Sequence, residues 1–322
     1  MKFCVMKGFA DDLLRFIRTY VRFLKKNGQD EYFSEIRKAL LLDDRKNDIL
    51  RFYEKHPAYA SKYTHEIECL EKNIPYKMTC DVADFRNKKA EIAEQIENAV
   101  FDYEAGMYYV LRNSKRLYFK RSINSIDKLK DYYEYLSYEQ TENSPHRYLD
   151  DDFQIDEGSV VVDCGAAEGF FGLDNIDKIK LLYIFECDEE WIEALKYTFK
   201  PYENKVQIIS KYVGAEDNES MVTIDTFFEG KRVDFIKMDI EGYEVDVLSG
   251  AEKLLSSDEP LKIATAAYHS KDAEKKIIDK LPNFIVKKSK GFLLHAWETA
   301  EPPYFRTGII RAEKEYIKND KK

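Results

Sequence analysis

The 322-residue chain lacks the marks of several protein classes. No window approaches the roughly 20 consecutive apolar residues that span a bilayer. From Met1 to Lys26 no apolar block survives uninterrupted, because Asp11, Asp12, Arg15 and Arg18 break it, so a signal peptide is not expected. There is no C-x-x-C pair. The five cysteines, Cys4, Cys69, Cys80, Cys164 and Cys187, are odd in number and scattered, without a histidine spacing suited to zinc. Reduced thiols in a cytoplasmic protein are the expectation, and the triplet Asn218-Glu219-Ser220 has no secretory context that would make it a glycosylation site. Positive charge is also in deficit. With 51 Lys and Arg against 60 Asp and Glu, the net charge of -9 argues against a nucleic-acid groove and favours a small-molecule or neutral glycan partner.

What is present describes a soluble globular chain, 44% hydrophobic and 34% charged, whose length suits about two domains of roughly 150 residues each. Apolar residues recur at helical spacing at Leu13, Leu14, Ile17, Val21 and Leu24, and again at Ile92, Ile96 and Val100. Residues 1–100 therefore read as a helical N-terminal region. Its first helix, with Phe9, Phe16 and Phe23 among basic residues, is either a surface-docking helix or an amphipathic helix packed on its neighbours. His56 and His65 read as surface histidines. Residues 101–148 read as a hairpin around Arg112 to Arg116, a tyrosine-rich helix from Ser125 to Gln140, and a loop ending Ser144-Pro145-His146-Arg147-Tyr148.

From 149 to 322 strands and helices alternate as in βαβ units. The strand candidates are Val160–Val162, Leu181–Phe185, Val206–Ile209, Val233–Met238, Lys262–Ala267, Phe284–Lys288, Phe292–His295 and Gly308–Arg311. The last three have no helical pattern between them, which predicts antiparallel pairing at the C-terminal edge of an otherwise parallel sheet.

The first of these strands runs into Asp163-Cys164-Gly165-Ala166-Ala167-Glu168-Gly169, where Gly165 and Gly169 allow a tight turn and close approach of a ligand. The dinucleotide pattern G-x-G-x-x-G is absent. A carboxylate at this turn would repel a pyrophosphate but accepts hydrogen bonds from a cationic amino group, which points to S-adenosylmethionine rather than NAD. Glu186 ends the second strand at the distance expected of an acid that binds ribose hydroxyls, with Cys187 and Asp188 on the adenine side. The fourth strand delivers Lys237-Met238-Asp239-Ile240-Glu241-Gly242-Tyr243-Glu244. Its acids either face a ligand at the end of the sheet where ligands bind, or cap the next helix. Lys237 inside an apolar strand needs a partner, one of these acids or the substrate. His269 follows the fifth strand and is the best general-base candidate, while Asp239 and Glu241 could instead hold a divalent metal, which no spacing demands.

At Val161 to Gly169, Phe185-Glu186 and above all Ile236 to Glu244 with Leu248 and Gly250-Ala251, the chain resembles the FkbM family of S-adenosylmethionine-dependent methyltransferases. The resemblance covers about Ser144 to Ala312 and implies a class I methyltransferase fold, a Rossmann-like, mostly parallel seven-stranded α/β sheet. It implies O-methylation of a sugar, glycan or natural product. By motif position Asp163, Gly165 and Gly169 would hold the methionine end and Glu186 the ribose, with Asp239 and Glu241 beside the methyl group; Ala166 and Cys187 are further cofactor-binding candidates, as is Asp239. Tyr243 replaces a small residue and would narrow the acceptor pocket. Two other readings are an NAD-dependent oxidoreductase and a non-catalytic binding module of the same fold. The N-terminal helices could cover the acceptor site or form a homodimer contact.

Overall fold

The computed structural model describes residues 45–72, 92, 96, 99–295 and 301–314. The amphipathic segment around Leu13 to Leu24, with any dimer contact it makes, lies outside them. Three helical segments come first among the described residues, α1 over 45–55, the short helical turn Pro57–Ala60, and α2 (Thr64–Glu71). A three-stranded antiparallel sheet follows, β1 (Val100–Asp102), β2 (Met107–Arg112) and β3 (Lys115–Tyr118), and then α3 (Ile126–Glu139). Helical spacing placed Val100 on a helix. It opens β1 instead, because a match at a single i+4 step does not outweigh its pairing with Tyr109 of β2. The β2–β3 turn puts Asn113 and Ser114 at φ 50° and 64°, both left-handed, as a two-residue hairpin requires. Ser125 caps α3 by accepting from Lys128 N–H.

The main sheet holds β4 (Ser159–Cys164), β5 (Ile179–Phe185), β6 (Val206–Ile209), β7 (Phe235–Met238), β8 (Leu261–Ala266), β9 (Ile285–Lys288) and β10 (Ile309–Lys314). The helices between them include α4 (Phe170–Asn175), α5 (Glu189–Phe199), α6 (Glu244–Ser249) and α7 (Ala273–Asp279). The order is β9-β10-β8-β7-β4-β5-β6, with β10 antiparallel to both neighbours and the other pairs parallel. That is the class I methyltransferase arrangement, a Rossmann-like α/β sheet whose crossovers place helices on both faces. Phe292–His295 is not in it. Only Leu293–Leu294 is strand, and it pairs with Phe305–Arg306 in a separate two-stranded ribbon.

Successive side chains of a strand face opposite ways, so each central strand serves two cores. Val161, Phe235, Ala264 and Ile309 pack in one core with the hairpin, α3, α4 and α5. Val162, Ile236, Ile263 and Ile310 pack in the other with α6 and α7. The same alternation puts Lys237 and Asp239 on the Phe235 face, and Asp163 on the Val161 face beside them. A third cluster joins Ile49 and Tyr53 of α1, Tyr63 and Leu70 to Leu294, Tyr304 and Phe305. The Tyr53 hydroxyl accepts the N–H groups of Tyr304 (3.1 Å) and Phe305 (3.3 Å), which ties α1 to the ribbon. His56 and His65 are exposed, Cys69, Cys164 and Cys187 are free thiols, and no described helix is long and apolar enough to cross a membrane.

Candidate active site

The C-terminal ends of β4, β5 and β7 open onto a cavity of about 640 Å³, within the usual range for a ligand pocket. Parallel sheets bind ligands at this edge because the strand ends and the following loops diverge there. Of the residues expected to hold a cofactor, Gly165, Glu186, Cys187 and Asp239 line the cavity, with Phe185, Trp191 and Val213 as apolar wall. Gly165 must be glycine. It has φ 75°, and a Cβ there would lie 2.2 Å from the carbonyl oxygen of Asp239.

Asp163, Ala166 and Gly169 are placed otherwise. Asp163 is fully buried below the turn, beside Lys237 in the parallel register of β4 and β7, with Oδ1 3.0 Å from Nζ. Lys237 also donates to the Gly165 carbonyl at 2.6 Å. The partner of Lys237 is thus an acid of the neighbouring strand, not one of the Asp239 to Glu244 cluster. Burial works against the ammonium, yet Asp163 and Asp239 outweigh it and hold the Lys237 pKa above the ordinary lysine value. Asp163 therefore fixes the turn through Lys237 and has no face toward the cavity. Gly169, at φ 83°, ends the turn where a Cβ would meet Leu195 and Phe199 of α5. Its close approach is to a helix. Ala166 is buried and does not reach the cavity wall.

Glu186 is held open by the backbone. Oε2 accepts from Ala167 N–H at 2.9 Å, and Oε1 from Cys187 at 2.7 Å and Asp188 at 2.9 Å. A carboxylate offers about four lone-pair sites, so capacity remains for a hydroxyl in the cavity.

Asp239 and His269 are brought together at the ends of β7 and β8. Asp239 accepts from the Tyr148 hydroxyl at 2.6 Å and from the Tyr268 hydroxyl at 3.0 Å, and its Oδ2 lies 3.2 Å from Nε2 of His146. Burial would raise its pKa, but His146, Lys237 and His269 outweigh that and hold the carboxyl well below the usual range. His146 is itself buried. Burial opposes its protonation, while Glu139 and Asp239 prevail and raise its pKa.

His269 has Nδ1 2.9 Å from Glu244 Oε1 and Nε2 3.4 Å from Asp239 Oδ1. Glu244 is the buried group that organises this corner, because the same Oε1 accepts from the N–H groups of Ile240 (3.0 Å) and Gly242 (3.4 Å). It thereby holds a turn in which Glu241 has φ 57°, a left-handed conformation that costs a non-glycine residue energy. Glu241 itself points outward, its side chain 93% exposed and 3.7 Å from His269 Nε2. Asp239, Glu244 and His269 each bring one ligand atom to within 4.8 Å of the others, as a metal site would. Their oxygens, however, already accept from hydroxyl, imidazole and backbone donors.

Residues 186–294 match the family described as Methyltransferase FkbM domain. This stretch, about a third of the chain, is similar to an FkbM methyltransferase domain. The match holds Glu186, Asp239, Glu241, Glu244 and His269, and begins after the glycine turn. A crystal structure of methyltransferase FkbM from Methylobacillus flagellatus KT is 18% identical, with TM-score 0.41 over 71% of this chain and 60% of that one. The chain thus spans about three fifths of that protein. Precorrin-6y C5,15-methyltransferase from Geobacter metallireducens GS-15 is 15% identical, with TM-score 0.35 over 50% of this chain and 84% of that one. Streptococcus pneumoniae Sp1610, a putative tRNA (m1A22) methyltransferase in complex with S-adenosyl-L-methionine, is 16% identical, with TM-score 0.32 over 51% and 69%. No curated protein matches.

Three contacts were not assigned from the sequence: those of Tyr148 and His146 with Asp239, and that of Glu244, read there only as a ligand-facing acid or a helix cap, with His269. The sequence signal for the first two was the Ser144 to Tyr148 loop, polar and aromatic just before β4. For Glu244 a helix cap and a ligand-facing acid look alike in sequence, since both put a carboxylate at a helix start.

Proposed function

We propose that this chain transfers a methyl group from S-adenosylmethionine to a hydroxyl oxygen of a sugar, glycan or natural-product acceptor, with His269 taking the hydroxyl proton. The observation that carries the reading is the His269 imidazole, whose Nδ1 lies 2.9 Å from Oε1 of buried Glu244 and whose Nε2 lies on the Asp239 side at the ligand end of the sheet. Such a pairing fixes ring orientation and leaves Nε2 as the acceptor of a proton. A cytoplasmic small-molecule enzyme fits the free thiols and the acidic chain.

The cavity suits the cofactor: its wall is apolar at Phe185, Trp191 and Val213, and it carries carboxylates at Glu186 and Asp239. Gly165 and Asp239 would hold the methionine end, Glu186 the ribose and Cys187 the adenine side. When bound, S-adenosylmethionine supplies a sulfonium methyl that is already electrophilic. The chain's residues then have two tasks, to align the acceptor oxygen at about 3 to 3.5 Å and to remove its proton. Asp239, kept ionised by its neighbours, favours positive charge at that point.

Calorimetry with S-adenosylhomocysteine, with NAD as comparator, followed by a methyl-transfer screen over glycan acceptors, tests the reading. Binding of NAD alone would replace it with an oxidoreductase, and cofactor binding with no turnover on any acceptor would favour a binding module. Glu186→Ala should weaken S-adenosylhomocysteine about ten- to a hundredfold, the worth of hydrogen bonds to a charged group. Unchanged affinity would remove Glu186 from the ribose.

Glu244→Gln has a signed effect on pH dependence. Burial pulls the His269 pKa down, but Glu244 and Asp239 outweigh it and raise it above the usual value. Neutral imidazole is the active form, so kcat/KM rises as pH climbs through that pKa. Without the Glu244 charge the pKa falls and the rising limb moves to lower pH. Turnover on the plateau drops by roughly ten- to a hundredfold as the ring loses its alignment. A limb that stays in place would separate Glu244 from the base.

A further inference from the structure

Behind His269 lies a buried cation that no acid among the described residues balances. Arg306, at the end of the Phe305–Arg306 ribbon strand, is 9% exposed. Its Nη1 donates to the carbonyls of Tyr268 (2.8 Å) and His269 (3.1 Å). Its Nε is buried without a hydrogen-bond partner among the described residues, and none of their carboxylates pairs with the guanidinium. The other arginines held deep in the domain are different. Arg112 pairs with Asp174 at 2.7 Å and Arg311 with Asp150 at 2.5 Å.

Two further basic side chains lie near it. Lys271, two residues beyond His269, lies close enough to Arg306 for the two charges to oppose each other, and its ion pair with Glu301 is on the surface. Burial, then Arg306 and His269, push the His295 pKa down to about 4 and keep that ring neutral. In a chain of net charge -9, a buried guanidinium at the backbone of the proposed base stands out. Burying a guanidinium without an anion is costly, and a planar fork with free donors is the group best suited to grip a carboxylate, phosphate or sulfate.

We infer that Arg306, with Lys271 at the rim, binds an oxyanion substituent of the methyl acceptor, so that the acceptor is an acidic molecule whose hydroxyl lies at His269. The word acceptor rests on the methyl-transfer reading; the anion site does not. A neutral sugar would leave the buried charge unbalanced. An acidic one supplies the missing partner and fixes the ring's orientation relative to His269.

The test titrates inorganic phosphate, sulfate and acetate separately into the full chain by calorimetry, with S-adenosylhomocysteine titrated into the same preparation. Saturable binding of at least one anion is expected, and the preferred one tells phosphate, sulfate and carboxylate acceptors apart. Arg306→Gln, which keeps an amide donor for the two carbonyls, should weaken it about tenfold or more, and surface Lys271→Gln by a smaller factor. The bound anion should also inhibit methyl transfer competitively against the acceptor. No saturable anion binding to the wild type, binding indifferent to both substitutions, or inhibition that is not competitive with the acceptor overturns the inference. Failure of S-adenosylhomocysteine to bind overturns methyl transfer instead, and leaves the anion titration as an independent result.

Discussion

His269→Ala lowers methyl-transfer turnover by about 10²- to 10⁴-fold, the contribution of a positioned general base, while S-adenosylhomocysteine binds with wild-type affinity. The two halves of this expectation come from different parts of the geometry. On the proposed reading turnover depends on Nε2, which lies on the Asp239 side while Nδ1 faces Glu244. Cofactor affinity depends on the cavity wall, and His269 is not part of that wall. Initial rates under saturating cofactor, with calorimetry on the same sample, measure both. Retention of full turnover would show that another group takes the proton. Chelator treatment separates the remaining alternative. With Asp239 and Glu244 already engaged by hydroxyl, imidazole and backbone donors, activity should survive it, and a loss restored by Mg²⁺ would give the deprotonating role to a metal.

Lys237→Met destabilises the folded chain by about 3 to 5 kcal/mol, the cost of removing one partner of a buried ion pair. Asp163 has no exposed surface, and its charge is balanced in the register of β4 and β7 by the ammonium 3.0 Å away. Methionine fills similar space but leaves that carboxylate alone and releases the Gly165 carbonyl, which Lys237 holds at 2.6 Å. Adding Asp163→Asn to Lys237→Met should recover part of the loss, since the uncompensated charge is gone. Urea denaturation with an unchanged slope reports both values. A loss below about 1 kcal/mol for Lys237→Met would mean that water reaches the pair. Because the pair lies under the glycine turn, the single substitution should also weaken S-adenosylhomocysteine binding.

The two effects mark where the sequence was legible. Runs such as Val160 to Val162 and Leu181 to Phe185 announce buried parallel strands because β-branched and apolar residues covered on both faces leave a continuous pattern. Carboxylates at strand ends, Glu186 and Asp239, are readable for the same reason: the fold type fixes which end meets a ligand. The assignment of Asp163 to the cofactor was not secure on that basis. A strand-end acid faces the cavity or the core according to its register against a neighbour, and that register appears only when β7 is set beside β4. Phe292–His295 shows the same limit. Its apolar pattern suits a strand, but the pattern does not say which strand it joins.

By itself the sequence determined most of the element types, the direction of the sheet and the motif by which residues 186–294 resemble an FkbM domain, all of them local patterns within a few residues. Tertiary structure decided which side chains meet at the site. Asp239 meets His146 and Tyr148 from the preceding loop, and His146 reaches Tyr268 across 122 positions of the chain. Tyr53 meets Phe305 across 252, and Arg306 next to it carries its charge to the backbone of His269. Propensity and periodicity act between near neighbours, whereas ion pairs and shared protons require atoms within a few ångströms. Only the crossovers of the sheet and the docking of α1 on the C-terminal ribbon bring such distant residues that close.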